Sequence, residues 1–362
     1  MKAAMFQTPF MAPTRSPKEV FEWAVSQAIV CDQVGFGTYL VGEHALQSWE
    51  SIPSPDLVIA AAARETEQIT LGPMAHILPY HNPTALALQM SWLSHILEGR
   101  YLAGVAMGSF PKDAYMHGIR DMSRNREMTL ESLEIMEKIW AGEEFWHEGE
   151  FWSAGLPESD PHHPNRDVRP FNGNMIVGMT GNSPSSPSIT FAGANGFHAL
   201  STYSGDEFIR SHWEVYSQAA AANGHSVDKS MHYIVRDVFV ADTDAEAKRL
   251  AKEGGTGKAW MEYLLPVYKM FGLNRGLVTK DNPIDPDDMD LDYLADHVWI
   301  CGSPETVTEK LSEFSHNVGG FGHIMPFSFD YSDDPSAWNY SLQLLAQEVL
   351  PKVQQPEFAT QN

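Results

Sequence analysis

Cysteine is almost missing from this chain. Only Cys31 and Cys301 occur, far apart and outside any C-x-x-C pair, which excludes a disulfide framework and a thiolate metal site and fits a reducing cytoplasm. Cationic side chains are scarce as well. The 24 Lys and Arg against 47 Asp and Glu leave a formal net charge of -23, and such a surface repels nucleic acid and anionic membranes. A small, uncharged substrate fits it better. No stretch approaches the roughly 18 apolar residues of a membrane span, and residues 1–13 lack a basic region followed by an apolar one, so a soluble cytoplasmic protein is expected. Gly35-Phe36-Gly37 follows a helix signal rather than a strand, so it cannot be the turn that cradles a dinucleotide, and a Rossmann-bound FAD or NADPH is not expected. Neither G-x-x-x-x-G-K-[ST] nor G-x-S-x-G occurs, which removes the common nucleotide-hydrolase and α/β-hydrolase readings. His162-His163 lie between Pro161 and Pro164 with no second ligand pair nearby, and no metal is expected.

What is present is an alternation of strand and helix signals. Apolar runs at 2–8, 39–41, 69–78, 101–107, 175–179, 198–201, 232–241 and 321–327 read as strands. Helix signals fall between them: Ser16-Pro17-Lys18-Glu19 is an N-cap, an N1 proline and a capping-box glutamate in order, with Gly35 as the stop. Further helices are expected over 55–66 and from Asn82-Pro83 to about 97. With 362 residues and 43% hydrophobic content, the chain can bury a large core. Eight βα units with short connections predict a (β/α)8 TIM barrel, one domain over 1–362, rather than an open sheet. Two stretches depart from the repeat. Residues 142–174, rich in aromatics, proline and histidine, predict a loop with a short hairpin, and 254–296 places Trp260, Tyr263, Tyr268 and Phe271 before an acidic run. Both are expected as insertions at the carboxyl-terminal face, where long segments act as lids.

Gly42-Glu43-His44 ends the second strand, and an acid beside an imidazole at a strand's carboxyl end sits where barrel enzymes keep their chemistry. A second signal follows the fifth strand. In Ser183-Pro184-Ser185-Ser186-Pro187-Ser188, Ser186 reads as an N-cap and Pro187 as N1 of a helix through Ala194. Hydroxyls around a helix N-terminus make a seat for a monophosphate, although the same residues also serve ordinary capping.

Gly42-Glu43-His44, the block from Pro73 to Pro83, Leu97-Glu98-Gly99-Arg100-Tyr101 with Gly104 and Gly108, and Gly302-Ser303-Pro304-Glu305-Thr306-Val307 resemble the bacterial luciferase-like flavin monooxygenases. Trp49-Glu50-Ser51-Ile52-Pro53, Leu93 to Tyr101 and Ala295-Asp296-His297-Val298-Trp299 are similar, within that superfamily, to the FMN-dependent diketocamphane monooxygenases, type II Baeyer-Villiger enzymes. The resemblance runs over nearly the whole chain and is weakest at 148–174 and 272–286.

The resemblance implies a TIM barrel that takes reduced FMN from a separate NAD(P)H:flavin reductase. It implies that O2 adds to give a C4a-peroxyflavin, which converts a small hydrophobic cyclic ketone to a lactone. Carried residue by residue, it places the catalytic histidine on His44, the flavin-contacting acid on Glu43, and a non-prolyl cis peptide beneath the flavin on Met74-Ala75. Phosphate contacts fall on Ser185 and Ser188, with Arg126 as the basic contact. Met107, followed by Gly108, stands where luciferase has an arginine after strand four, so the phosphate grip differs in detail. Phe6 joins the cofactor residues; Trp49, His76 and Phe110 are expected to line a dry substrate pocket. His44 can supply a poised base. A homodimer is expected through the apolar helices over 55–66 and 83–97. The same fold and blocks also serve monooxygenases that hydroxylate or epoxidise another terpene or heterocycle, deazaflavin-dependent dehydrogenases and noncatalytic flavin-binding proteins.

Overall fold

Ser16, Pro17 and Glu19 do locally what their types dictate. The Ser16 hydroxyl accepts from the Glu19 amide, the Glu19 carboxylate accepts from the Ser16 amide at 2.8 Å, and the helix Pro17–Val34 ends at Gly35 in the left-handed region. Asn82 likewise caps Pro83–Ile96 by accepting from the Ala85 amide. These starts are spaced so that each helix returns the chain to the same end of a parallel sheet.

The computed structural model describes residues 1–356. Its eight staves are β1 (Lys2–Gln7), β2 (Thr38–Val41), β3 (Thr70–Pro73), β4 (Leu102–Ala106), β5 (Ile176–Gly181), β6 (His198–Ser201), β7 (His232–Arg236) and β8 (His323–Pro326). They pair in parallel in the order β3-β2-β1-β8-β7-β6-β5-β4. A Leu71–Tyr101 bridge and the pairing of His76–Ile77 with β4 bring the two ends together, closing the TIM barrel. Gly72 and Gly104 make that closure possible, because a Cβ on either would overlap the facing carbonyl oxygen, of Leu102 or of Pro73. The interior is packed rather than hollow: Leu40, Leu71, Leu102, Val105, Met179, Leu200, Ile234 and Met325 are all buried.

Three expected elements are corrected. The strand over 69–78 is broken after Pro73 by the cis peptide Met74-Ala75 and resumes only as His76–Ile77. The strand over 232–241 splits at Asp237. Its second half, Val238–Val240, leaves the barrel to pair with Ile300–Gly302, a strand that the alternation did not announce. Partners distant in sequence hold the break: the Asp237 carbonyl accepts from the Ile300 amide at 2.9 Å, and its carboxylate accepts from the Trp260 indole at 2.7 Å. The helix over 55–66 stops at Ala62. Within 142–174 the strands Phe145–Glu148 and Ser153–Leu156 form an antiparallel hairpin. Residues 255–270 run as one continuous helix whose turn Trp260–Leu264 is widened to a π turn. No described helix is long and apolar enough to cross a membrane.

Candidate active site

β2 delivers Glu43 and His44 to the carboxyl end of the barrel side by side, and they enter two different networks. The Glu43 carboxylate is buried and saturated. His81 Nε2 donates to one oxygen at 2.7 Å, while His76 Nδ1 at 2.8 Å and the Ile77 amide at 3.3 Å donate to the other. The far nitrogen of His76 donates to Asp56 at 3.1 Å, and Gln89 donates to that aspartate's other oxygen. With a carboxylate on each ring nitrogen, His76 satisfies both only as an imidazolium. Burial opposes that charge, but the bonds to Asp56 and Glu43 outweigh it and raise its pKa to about 9. Burial would likewise push the Glu43 pKa up, yet the two histidines hold it down to about 2.

His44 is the more open of the pair. Its Nδ1 lies 3.0 Å from Asp113 Oδ2 and its Nε2 3.3 Å from Glu50 Oε2. Asp113 comes from the short helix Pro111–Met116 and is held by the Leu46 amide at 2.8 Å, so the loop after β2 and the helix after β4 clamp the imidazole together. Burial disfavours the charged ring, but the Glu50 and Asp113 carboxylates raise the His44 pKa above its ordinary value. The Phe110 ring packs edge-on against the imidazole at 5.0 Å. Trp49 is buried and lies over Tyr263 at 6.3 Å, and Phe6, also buried, meets Phe327 at 5.7 Å. The Phe110 ring therefore borders the histidine on a face that is otherwise acidic.

The remaining expected residues follow the carboxyl ends of β3, β4 and β5. Met74-Ala75 is cis, with both residues buried. Met107 and Gly108 follow β4, and the Asn125 side-chain Nδ2 donates to the Met107 carbonyl at 2.9 Å, which fixes the start of the helix carrying Arg126. Arg126 is exposed and makes no hydrogen bond or ion pair among the described residues. After neighbouring β5, the helix Pro187–Ala194 begins where the sequence placed it, with Ser186 at the N-cap and Pro187 at N1, but the Ser186 side chain is buried and caps no amide. Ser185, at φ 46°, gives its amide to the Ser211 hydroxyl, and His212 bonds the Ser183 carbonyl at 2.8 Å. Ser188 is half-buried in the first turn. This helix start keeps its own donors unpaired, which suits an anion.

Glu50, Asp113 and Tyr263 were not singled out as site residues. Glu50 and Asp113 flank His44 and Tyr263 bonds Glu50 behind it, from three separate segments, and only Glu50, inside a block carrying the resemblance, left a signal near the motif. His162 and His163 stay in an exposed loop. Glu43, His76 and His81 bring donor atoms within 4.8 Å of one another, a set whose types suit a metal. Their direct N–H···O contacts of 2.7 and 2.8 Å already use those atoms on each other.

A barrel with an acid–imidazole pair and an open helix start at one mouth defines a class that comparison with known proteins makes specific. The chain belongs to the luciferase-like monooxygenase family, whose model matches residues 1–320. It is 45% identical to 2,5-diketocamphane 1,2-monooxygenase 1 of Pseudomonas putida over 98% of this chain and 99% of that one. Identity to 3,6-diketocamphane 1,6-monooxygenase of the same species is 43% over 99% of both. In three dimensions it matches the oxygenating constituent of 3,6-diketocamphane monooxygenase from the CAM plasmid of Pseudomonas putida, a type II Baeyer-Villiger monooxygenase in complex with FMN. The TM-score is 0.96 and the identity 44%, over 99% of this chain and 100% of that chain.

Proposed function

We propose that this protein is the oxygenating component of a two-component, FMN-dependent Baeyer-Villiger monooxygenase that converts a small hydrophobic cyclic ketone to a lactone. The observation that carries the reading is the pairing at one barrel mouth of a carboxylate-clamped imidazole and an open helix N-terminus, in a chain so close to an FMN-bound enzyme of that activity. The residues present fit FMN. The unpaired donors at Pro187–Ala194, with Ser185, Ser188 and Arg126, suit its phosphate, and Phe6 with Met74-Ala75 suits the flat ring. When bound in reduced form, FMN supplies two electrons to O2, one atom of which enters the lactone while the other leaves as water.

The chain's own residues hold, orient and dry that chemistry. Carboxylates facing both ring nitrogens favour the charged form of His44, which suits it to act as a proton donor. Nδ1 is tied to Asp113, whereas Nε2, held at 3.3 Å, is the nitrogen freer to turn toward a reacting oxygen. Trp49, Phe110 and Phe6 exclude water that would divert the reaction to hydrogen peroxide. The substrate is uncharged, in keeping with a mouth lined by carboxylates. A separate flavin reductase supplies reduced FMN. A second copy of the chain covers Leu57, Leu88, Trp92 and Ile96, which stand 66, 41, 52 and 47% exposed on the two helices expected to dimerise.

The test is to incubate the protein with reduced FMN, O2 and a panel of cyclic and bicyclic ketones, and to look by mass spectrometry for products heavier by one oxygen atom. A lactone from at least one ketone is expected. Oxygen consumed only to hydrogen peroxide across the panel, or hydride transfer with a deazaflavin instead, would overturn the reading.

A further inference from the structure

The helical segment 255–270 does more than lie beside the mouth. Its π turn, a local widening often found at functional sites, carries two side chains three residues apart that donate into the barrel. Trp260 donates to Asp237 at 2.7 Å, and the Tyr263 hydroxyl donates to Glu50 Oε1 at 2.5 Å. Glu50 takes a second hydroxyl donor, Thr8 Oγ1, on Oε2 at 2.6 Å, and that same oxygen faces His44 Nε2. A chain of contacts therefore runs from Tyr263 through Glu50 and His44 to Asp113, crossing from the 254–296 segment to β2 and on to the helix after β4. Burial and the Glu50 charge keep the Tyr263 phenol far above its ordinary pKa, so it remains a donor.

We propose that Tyr263 is a positioning residue that acts on His44 through Glu50, so that the 254–296 segment governs the proton of the imidazole. This rests on the reading of His44 as the residue that serves oxygen transfer. The physical argument is one of shared charge. A carboxylate that gives part of its electron density to two hydroxyl donors has less to offer the neighbouring imidazolium. Removing the Tyr263 hydroxyl returns that density to His44, and removing the Glu50 charge takes it away altogether. The two changes must move the histidine in opposite directions. The charged and titratable groups around His44 are Glu50, Asp113 and Glu43, with Tyr263 behind Glu50 and Tyr80 beside Asp113 and Glu43. Neither substitution replaces Asp113, Glu43 or Tyr80.

The experiment is a 15N-histidine NMR titration of the full chain, with the His44 signal assigned by its loss in His44→Gln. Glu50→Gln should lower the His44 pKa by about one unit, the lower end for losing an opposite charge at this distance. Tyr263→Phe, which keeps the ring over Trp49 and beside Phe10, should raise it by a few tenths of a unit. The alkaline limb of the pH profile for lactone formation should move with each. Circular dichroism of both variants separates these shifts from unfolding, and if Glu50→Gln proves unfolded, Tyr263→Phe alone carries the test through the sign of its shift. A His44 pKa indifferent to Tyr263, or moved downward by Tyr263→Phe, would overturn the proposal even if the wild type makes lactone. Shifts of the expected signs in a protein that oxygenates no ketone would sustain it while refuting the functional reading.

Discussion

Glu43 and His44 are neighbours in the chain, and both belong to acid–imidazole clusters, yet the clusters are built to opposite ends. Around Glu43 the ledger of donors and acceptors is closed: His81, His76 and the Ile77 amide supply the carboxylate, and Asp56 takes what remains of His76. Around His44 one nitrogen is held at 3.0 Å and the other only at 3.3 Å, and its side chain is 17% exposed against 5% for Glu43. A saturated, buried cluster resists change and orders the backbone that passes over it, here the segment Met74 to Ile77. A cluster with one loosely held nitrogen at an aromatic mouth leaves that nitrogen freer to turn toward a reacting group, the role proposed for His44. Residue type does not separate structure from chemistry in this pair; the count of satisfied partners does.

The comparison is broken most forcefully at Glu43. Glu43→Ala leaves His76 and His81 facing an empty site, and removing one partner of a buried ion pair costs about 3–5 kcal/mol. Urea unfolding should show a loss of that size, with ketone oxygenation falling through instability and weakened flavin binding together. A fully stable variant deficient only in oxygen transfer would reverse the assignment, making Glu43 the chemical member of the pair.

His44→Ala is the complementary change. Lactone formation should fall by roughly a hundredfold or more, the scale for losing a positioned acid or base. Reduced-FMN affinity should stay within a few fold, and hydrogen peroxide release should rise. Loss of FMN binding and oxygenation together would make His44 a binding residue.

Much of this was legible before the structure. Ser16-Pro17-Glu19 and Asn82-Pro83 announced their helices because capping is a local matter, and the eight staves followed from apolar runs, of which those at 69–78 and 232–241 ran on past the stave. The break of β7 at Asp237 was not legible, since it depends on the Trp260 indole 23 residues further on. Nor was the clamp on His44, because Asp113 stands 69 residues away and Tyr263 lies 213 residues from the Glu50 it holds. Periodicity carries no information about contacts of that range. Ser186 stands at the N-cap as its type announced, but its side chain is buried without bonding to an amide, which residue type alone does not tell.

The two clusters also differ in how pH should reach them, and this sharpens the contrast at smaller cost. The His76 pKa is raised from 6.5 to about 9, so its contribution to stability is fully present below pH 6.5 and fades as pH rises through 9. Glu43 is held down from 4.5 to about 2, so its contribution is full above pH 4.5 and is lost as pH falls toward 2. Between those limits both are complete. Urea unfolding of the wild type and of His76→Gln should therefore differ most near pH 5.5 and converge near pH 9.5. A gap that stays constant, or widens with alkali, would show that His76 is not held as a cation.

The smallest expected effect lies outside both clusters, at the open helix start. If its unpaired donors seat the FMN phosphate, backbone amides and the helix dipole do most of the work, and each side chain adds only a little. Ser188→Ala and Arg126→Ala should each weaken reduced-FMN binding a few fold and leave reduced-riboflavin binding unchanged, because riboflavin lacks the phosphate. The exposed Arg126 should show its effect chiefly at low salt, since screening removes most of a surface charge's influence. Equal weakening toward FMN and riboflavin would mean that these residues support the ring or the fold, and the anion seat would have to be sought elsewhere on the mouth.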